Sequence, residues 1–319
     1  MADFYLHNYI VEQVTKQSTF PFVKPLLYIG AQGPDPYYYV LDSKTQGIAH
    51  KIANRCHDEL THDLLTNLVQ LVKENLTEET YTFLVGFLTH YILDVTLHPY
   101  VYYHVGEYDP KNKSTYAFRG LHLRFERSID YEMIRLNEGV RPERFDFNQR
   151  YFPKYELPSS ISSLMNEVVK RTYQEPLASG LYHKGVLTMK RVLKQYAYDP
   201  YGIKKCIFRI VDGMNNTKPL LLADVSMYHH TSKFDFLNQH HRVWYHPVSN
   251  HPHNDSVSQL LDQAVNHSKS MISDIQSYLF NHQEIDFEKL FPNLSFNTGV
   301  PCGMKMNAFN NYTKMKYGR

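Results

Sequence analysis

Three side chains able to bind a metal are spaced four residues apart in an otherwise apolar segment. His90, Asp94 and His98 lie within residues 83–100. In a helix, positions i, i+4 and i+8 project within an arc of roughly 80° on one face. Burying a carboxylate and two imidazoles is costly unless each is satisfied, and a divalent cation satisfies all three. The alternative for this segment alone is one hydrogen-bonded His–Asp pair, with the second histidine closing a turn.

A second segment carries the spacing His122-x-x-x-Glu126, and Asp130 continues the same stripe. On a helix this spacing places the imidazole and the carboxylate over one another, as in helical zinc sites. By itself the pair is equally compatible with a solvated ion pair on a charged helix. Two such helices in one chain favour the metal interpretation. Together they would provide five ligands, which is more than one tetrahedral zinc takes and suits a cluster.

Further metal-competent side chains lie nearer the amino terminus. His7 is on the first amphipathic segment, and Asp35 lies between two prolines that predict an extended, non-helical backbone there. His50 opens a predicted helix, and His57 follows one heptad later on a similar face. Each of these residues also has a purely structural explanation, as a turn residue or as a hydrogen-bonded histidine.

The order of these motifs resembles the zinc-dependent phospholipase C family, and most closely its signal-less bacterial branch. The metal pattern is more distantly similar to that of the single-strand-specific fungal nucleases. The resemblance implies an all-α, multi-helix bundle, here with an additional helical C-terminal half. It spans residues 1 to about 135 and is carried by His7, the Gly-Ala-Gln-Gly-Pro-Asp-Pro loop, Gly-x-x-His50, His90-x-x-x-Asp94-x-x-x-His98 and His122-x-x-x-Glu126-x-x-x-Asp130.

The resemblance also implies a cluster of two or three zinc ions. The ligands it implies are Asp35, His50, His90 and Asp94 for one ion, His98, His122 and Glu126 for a second, and His7 with the bridging Asp94 for a third. In secreted members the amino terminus completes the third position after an amino-terminal tryptophan is exposed. This chain begins Met-Ala-Asp instead, and its step from the bridging aspartate to the next histidine is shorter.

Such a cluster would cleave phosphodiesters with an activated water, because zinc lowers the pKa of water and neutralises phosphoryl oxygens. Asp35 is the expected catalytic base. The expected partner is a phosphodiester small molecule or a phospholipid headgroup. Cys56 and Cys206 lie in helical contexts without a flanking motif, so neither is assigned a covalent role. Two alternatives stay open: a non-catalytic zinc-binding helical protein, and a nuclease or phosphomonoesterase acting at the same metal site.

Composition narrows the setting of this chemistry. A net charge of +2 with dispersed lysines and arginines makes nucleic acid an unlikely partner. Three cysteines without paired spacing predict no disulfide framework. The sequence contains no run of about 18 apolar residues, so we expect no transmembrane segment. Without a basic region followed by an apolar one at the start, we expect no secretory signal and a cytoplasmic location. The oligomeric state stays open.

Helical periodicity positions these residues and dominates the chain. It predicts helices near residues 6–17, 46–74, 78–104, 118–137, 158–173, 183–197, 203–214 and 255–282. We expect residues 1–140 to form a metal-binding helical core and residues 141–319 to complete the same domain. Tyrosine clusters at 37–39 and 100–103 flank the candidate ligands, and either line a headgroup or nucleobase pocket or pack helix ends. A histidine-rich loop at 229–254 holds seven histidines in no zinc-like spacing, so we expect an irregular loop without a site role rather than one that holds substrate.

Overall fold

The computed structural model describes residues 4–109, 111–152, 154–175, 180–214, 221–228 and 234–309, and these are predominantly helical, as the sequence predicted. In chain order the α-helices are α1 (Phe4–Thr15), α2 (Lys24–Gly30), α3 (Gln46–Asp58), α4 (Thr61–Glu74), α5 (Glu78–Val105), α6 (Leu121–Glu138), α7 (Phe147–Arg150), α8 (Ser159–Tyr173), α9 (Leu181–Val192), α10 (Ile203–Met214), α11 (Val257–Phe280) and α12 (Phe287–Leu290).

Shorter elements connect these helices. The 3-10 turns are Asp35–Tyr39, Lys113–Phe118, Pro142–Arg144 and Leu222–Asp224, and a π-helical turn, Leu193–Ala197, extends α9. Two antiparallel strands of two residues each, β1 (Trp244–Tyr245) and β2 (Pro252–His253), pair Trp244 with His253. The fold class is therefore all-α.

Helix α5 is the centre of the fold and is buried along most of its length. It starts at a capping box, in which the Thr77 side chain and Thr80 each accept from the other's backbone amide. Apolar residues surround the helix on all sides, as expected of a helix in the interior. Helix α2 packs on one side, α11 packs on another, and α1, α4 and α6 complete the surroundings.

The crossing of α2 and α5 is unusually close because both helices present glycine there. A Cβ atom at Gly86 would lie 2.5 Å from the carbonyl oxygen of Leu27, and one at Gly30 would lie 2.5 Å from that of Phe83. Any side chain at these positions would push the two helices apart. The close approach brings the segment that follows α2, which includes Asp35, directly against the middle of α5.

The structure differs from the predicted elements in three respects. The predicted helix 46–74 is two helices, because Leu60 takes a left-handed conformation with φ of 51° between α3 and α4. Asp35 begins a 3-10 turn, so the extended conformation expected there is wrong. Helices α2, α7 and α12 were not predicted, since none exceeds seven residues and α2 has proline in its first turn. The other predicted helices are present with bounds shifted by a few residues.

The second half of the chain packs onto the same apolar core as the first half. Helix α11 lies against α5 and α1, and its residues belong to one continuous cluster with theirs. The segment after α12 returns to the centre, where the backbone amide of Phe296 donates to the carbonyl oxygen of His57. Among the described residues, no helix combines the length and the apolar composition needed to cross a membrane.

Candidate metal centre

The carboxylate of Asp94 lies at the centre of the site and faces four imidazoles. Its Oδ1 lies 3.5 Å from Nε2 of His7 and 3.6 Å from Nε2 of His98. Its Oδ2 lies 3.1 Å from Nε2 of His90 and 3.7 Å from Nε2 of His57. All five side chains are buried. Helices α1, α3 and α5 therefore deliver ring nitrogens to both oxygens of one carboxylate.

Three of these imidazoles are held by backbone carbonyl groups through their other nitrogen. The Nδ1 atoms and their partners are His57 with Ala53 O at 2.7 Å, His90 with Ala31 O at 3.1 Å and His98 with Phe296 O at 2.8 Å. A carbonyl oxygen only accepts, so each Nδ1 must carry the proton. The lone pair of each Nε2 is then directed at the centre of the site, which is the arrangement of metal-binding histidines.

A second group adjoins the first through His98. Its Nε2 lies 3.1 Å from Oε1 of Glu126, and Nε2 of His122 lies 2.9 Å from the same oxygen. Glu126 and His122 lie one turn apart on α6, as their spacing predicted. The side chain of His122 is 26% exposed whereas that of Glu126 is 1% exposed, so this group borders solvent at His122.

The described residues contain three groups whose ligand atoms lie within 4.8 Å of one another and could hold a metal ion. They are His7 with His90 and Asp94, Asp35 with His57 and His90, and His98 with His122 and Glu126. Within the first two groups, several buried polar atoms have no hydrogen-bond partner: both ring nitrogens of His7, Nε2 of His57 and of His90, Oδ1 of Asp35, and both oxygens of Asp94. Each such atom is costly to bury unsatisfied. A divalent cation would satisfy them together, so the donor set fits zinc.

The charges of the cluster suit cation binding. Burial alone would raise the pKa of Asp94, but His90 and His98 hold it well below its ordinary value. Burial also raises the pKa of the Glu126 carboxyl, but His122 and His98 outweigh burial, so this pKa is lowered overall. Burial and the neighbouring His90 lower the pKa of His7 to about 3, so that imidazole is neutral. Ionised carboxylates and neutral imidazoles are the forms that bind zinc.

His90 is the exception to this pattern. Burial lowers its pKa, but Asp94 and Asp35 outweigh burial and raise it overall.

The structure brings together every side chain predicted as a ligand except His50. The Nε2 atom of His50 lies 2.9 Å from the carbonyl oxygen of Tyr38, and the side chain is only partly buried. His57 occupies the central position instead, with its Nε2 3.2 Å from Oδ1 of Asp35. Both histidines are on one face of α3, but seven residues separate them by about 10 Å along the helix axis. Only one of them can reach the cluster.

Asp130 does not face the cluster; it serves the helix that carries His7. Its two carboxylate oxygens accept from the backbone amides of Tyr5, at 2.7 Å, and of Leu6, at 3.1 Å. These amides belong to the first turn of α1 and have no partner within the helix. The third residue of the His-x-x-x-Glu-x-x-x-Asp motif thus fixes α1, so that His7 projects toward α5.

Sequence reasoning missed the contribution of Phe296. Its carbonyl oxygen binds His98, its amide binds the His57 backbone, and its ring lies 5.4 Å from the His57 ring. No local pattern marks this residue, because it acts mainly through its backbone and lies 198 residues from His98.

The tyrosine clusters divide between the core and the site. Tyr37 and Tyr100 are fully buried in the core. Tyr38 and Tyr102 are partly buried, and their rings lie 5.7 Å from the His57 ring and 4.7 Å from the His122 ring. One member of each cluster therefore borders the candidate ligands.

Five histidines of the histidine-rich loop are described, and none of them belongs to a metal-competent group of the described residues. His240 binds Asp235 at 2.8 Å, His246 binds the carbonyl oxygen of Thr298 at 2.9 Å, and His253 stacks on Trp244 at 4.5 Å. These contacts fold the loop onto itself and onto the segment after α12. His229 and His230 lie outside the described residues.

Comparison with known proteins gives one match. No curated protein and no solved structure matches the chain. The sequence profile of the zinc-dependent phospholipase C family matches residues 4–180, which is more than half of the chain and includes all the residues of the three metal-competent groups. This chain belongs to the zinc-dependent phospholipase C family.

Proposed function

We propose that this protein hydrolyses phosphodiester bonds with a zinc cluster, in the manner of a phospholipase C. The observation that carries the proposal is Asp94, whose two oxygens face four buried imidazoles. A lone buried carboxylate needs at most one or two such partners. Four nitrogens on two sides of one carboxylate are the arrangement expected when that carboxylate bridges two cations.

We assign two principal zinc positions, one beside Asp94 and one beside Glu126. One would be held by Asp35, His57, His90 and Oδ2 of Asp94, and the other by His98, His122 and Glu126. His57 takes the role that the sequence resemblance gave to His50. His7 and Oδ1 of Asp94 would remain for a third ion, which would have fewer ligands among the described residues.

When bound, zinc would lower the pKa of the attacking water and neutralise charge on the phosphoryl oxygens. Asp35 is placed to accept the proton of that water, because it is buried beside the first position and its carboxylate is ionised. Burial raises the pKa of Asp35, but the neighbouring imidazoles of His57 and His90 lower it overall. As the water oxygen bonds to phosphorus, the bond from phosphorus to the alcohol oxygen breaks, and the proton passes to the departing alcohol.

Substrate would enter from the side of His122, which is the exposed member of the candidate ligands. Tyr102 flanks His122 and Tyr38 flanks His57, so each would offer an aromatic face to a headgroup beside the candidate ligands. Together with family membership, this arrangement favours a phospholipid headgroup over a bulky polymer as the group that reaches the site.

The first test measures zinc and turnover on one sample. Elemental analysis of the freshly purified protein should give two or three zinc ions per chain. Hydrolysis of bis-p-nitrophenyl phosphate should be lost on chelation and restored by added zinc. Absence of bound zinc, or full zinc content without turnover, would overturn the proposal, and the latter result would identify a non-catalytic zinc protein.

A second test separates the substrate classes. A short-chain phosphatidylcholine below its micellar concentration, a single-stranded oligonucleotide and p-nitrophenyl phosphate would be compared under one condition. We expect the lipid to be cleaved to diacylglycerol and phosphocholine at the highest kcat/KM. A preference for the oligonucleotide or the monoester would assign the same cluster to a nuclease or a phosphomonoesterase.

A further inference from the structure

Helix α10 presents its apolar face to solvent. Five apolar side chains recur at positions i, i+4, i+7, i+8 and i+11, which confines them to an arc of roughly 100°. They are Ile203, Ile207, Ile210, Val211 and Met214, exposed by 61%, 53%, 64%, 41% and 84%. Within the described part of the chain, nothing covers this stripe. Soluble proteins rarely expose a contiguous apolar face of this kind unless it binds something.

The polar side of α10 attaches the helix to the protein. Asp199 accepts from the backbone amides of Lys204 and Lys205 in its first turn, at 3.3 and 2.9 Å. At the other end, the Asp212 carboxylate accepts from the amides of Leu222 and Ala223, at 2.8 and 2.9 Å. The side chain of Lys205 is buried beneath the helix. These bonds fix the orientation of the helix, so the outward direction of the apolar stripe is built into the fold.

The segment that leads into α10 and forms it is strongly basic. Residues 181–214 contain seven lysines and arginines and two aspartates, a net charge of +5, whereas the whole chain carries +2. Both aspartates, Asp199 and Asp212, are engaged with backbone amides as described above. Lys194 is exposed before the helix, and Lys204 lies at the edge of the stripe on α10, where its Nζ donates to the carbonyl oxygen of Tyr198. An apolar stripe with positive charge beside it is complementary to a lipid bilayer, which has an apolar interior and can carry anionic headgroups.

The stripe is also connected to the open side of the metal centre. The turn Leu222–Asp224, which α10 holds through Asp212, binds the first turn of α6: Asp224 lies 3.0 Å from Nε of Arg124. This same first turn carries His122, the candidate ligand that borders solvent. A surface that engages α10 would therefore lie near the entrance to the cluster.

We propose that α10 is a membrane-docking helix that lies in the headgroup region of an anionic phospholipid bilayer. Its isoleucines and Met214 enter the acyl boundary, while Lys194 and Lys204 contact lipid phosphates. Tyr198 and Tyr201, which are exposed just before the helix, lie at the depth where tyrosine is enriched in membranes. The benefit of this docking rests on the proposed function, because it presents the cluster to lipid in a bilayer.

The experiment measures sedimentation of the zinc-loaded protein with vesicles of phosphatidylcholine alone and of phosphatidylcholine with 30% phosphatidylglycerol. The variants are I207E/I210E on α10, M214E as a milder change, and L136E as the matched control. Leu136 is 59% exposed in the last turn of α6, at the other end of the helix from His122. Thermal unfolding and turnover of soluble bis-p-nitrophenyl phosphate are recorded for each variant.

We expect the wild type to bind anionic vesicles more tightly than neutral ones and to be released by salt. I207E/I210E should lose at least about tenfold in vesicle affinity, and M214E should lose less. L136E should bind like the wild type, and all variants should keep soluble turnover. Wild type that fails to bind anionic vesicles, or I207E/I210E that binds equally well, would overturn the proposal. So would a stable dimer in solution that I207E/I210E dissociates, because a second copy would then cover the stripe.

Failure of the proposed function would be recognised separately. Vesicle binding that depends on Ile207 and Ile210 in a protein without phosphodiesterase turnover would support the docking helix and contradict only the enzymatic proposal. Soluble turnover without vesicle binding would support the enzyme and contradict only the docking helix.

Discussion

Helices α5 and α10 depart from the usual rule of burial in opposite directions. Helix α5 buries His90, Asp94 and His98 in the most apolar part of the molecule. Helix α10 exposes Ile207 and Ile210 and directs Lys205 and Asp212 at the protein. Each arrangement is unfavourable in a chain considered alone, since buried unsatisfied polar atoms and exposed apolar stripes both cost free energy.

The two helices differ in the kind of partner that would satisfy their polar or apolar atoms. The polar atoms of α5 converge on points where a cation fits, within a few ångströms and with fixed ring orientations. The apolar atoms of α10 lie along a line and converge on nothing, so only an extended surface could cover all of them. Local departures from burial thus indicate the shape of the missing partner as well as its chemistry.

The largest effect is expected from Asp94→Asn. The amide keeps the size of the side chain but removes the charge and half of the acceptors shared by four imidazoles. Zinc content should fall by at least one ion per chain, and turnover of bis-p-nitrophenyl phosphate should fall at least about a hundredfold.

Asp199→Asn is the matched control for this change. Asp199 is also buried, but it caps α10 and lies outside the metal-competent groups of the described residues. This variant should retain zinc and turnover. If both variants lost zinc equally, the central role of Asp94 would be refuted.

Next in size is the comparison of His57→Ala with His50→Ala on the same face of α3. His57 faces Asp35 and Asp94, so its loss should remove about one zinc per chain and lower turnover at least about tenfold. His50 contacts the Tyr38 carbonyl oxygen, and its loss should leave zinc content unchanged. The opposite result would restore the ligand set implied by the sequence resemblance and contradict the geometry.

This pair also marks how far the sequence could predict the site. The spacings on α5 and α6 are local, so helical periodicity alone placed His90, Asp94 and His98 on one face and His122 above Glu126. The choice between His50 and His57 depends on where α3 lies along its axis relative to α5, which periodicity does not contain. The contact between the Phe296 carbonyl oxygen and His98 could not be predicted for the same reason, since only tertiary folding brings the two together.

The fold divides in the same way. Long helices such as α5 and α11 were predicted because their apolar residues recur over several turns. In the structure, Thr77 and Ser256 cap their starts. The break at Leu60 was not predictable, because leucine in a left-handed conformation has no sequence signal and is imposed by packing. The regular helices could be predicted from the sequence, whereas the connections between them could not.

His104 tests whether every buried polar residue of α5 belongs to the cluster. It is buried against Phe125 and lies outside the metal-competent groups of the described residues. Burial lowers its pKa to about 3, below the 6.5 of an unfolded histidine. Between these values the unfolded chain binds a proton that the folded protein excludes. Its contribution to stability is therefore complete above pH 6.5 and is lost as the pH falls toward 3.

The variant His104→Phe removes this titration while keeping an aromatic ring. Denaturant unfolding of the zinc-loaded proteins between pH 7 and 4.5 should give a free energy of unfolding that falls less steeply for the variant. The difference in slope should approach roughly 1.4 kcal/mol per pH unit. Parallel pH profiles would mean that His104 is not excluded from protonation in the folded protein.

The smallest effect on stability is expected from a drastic substitution on α10, and comparing it with a mild substitution on α5 tests how the two helices differ. Ile210→Asn exchanges an apolar side chain for a polar one at a position 64% exposed, so the free energy of unfolding in solution should change by less than about 0.5 kcal/mol. Val85→Ala on α5 is chemically milder, but Val85 is 1% exposed and its loss should cost about 1–2 kcal/mol. If Ile210→Asn destabilised the isolated protein more than Val85→Ala does, the apolar face of α10 would be covered by the chain itself. The stripe would then be part of the core. The contrast between α5, whose polar atoms bind a cation, and α10, whose apolar face binds a surface, would be refuted.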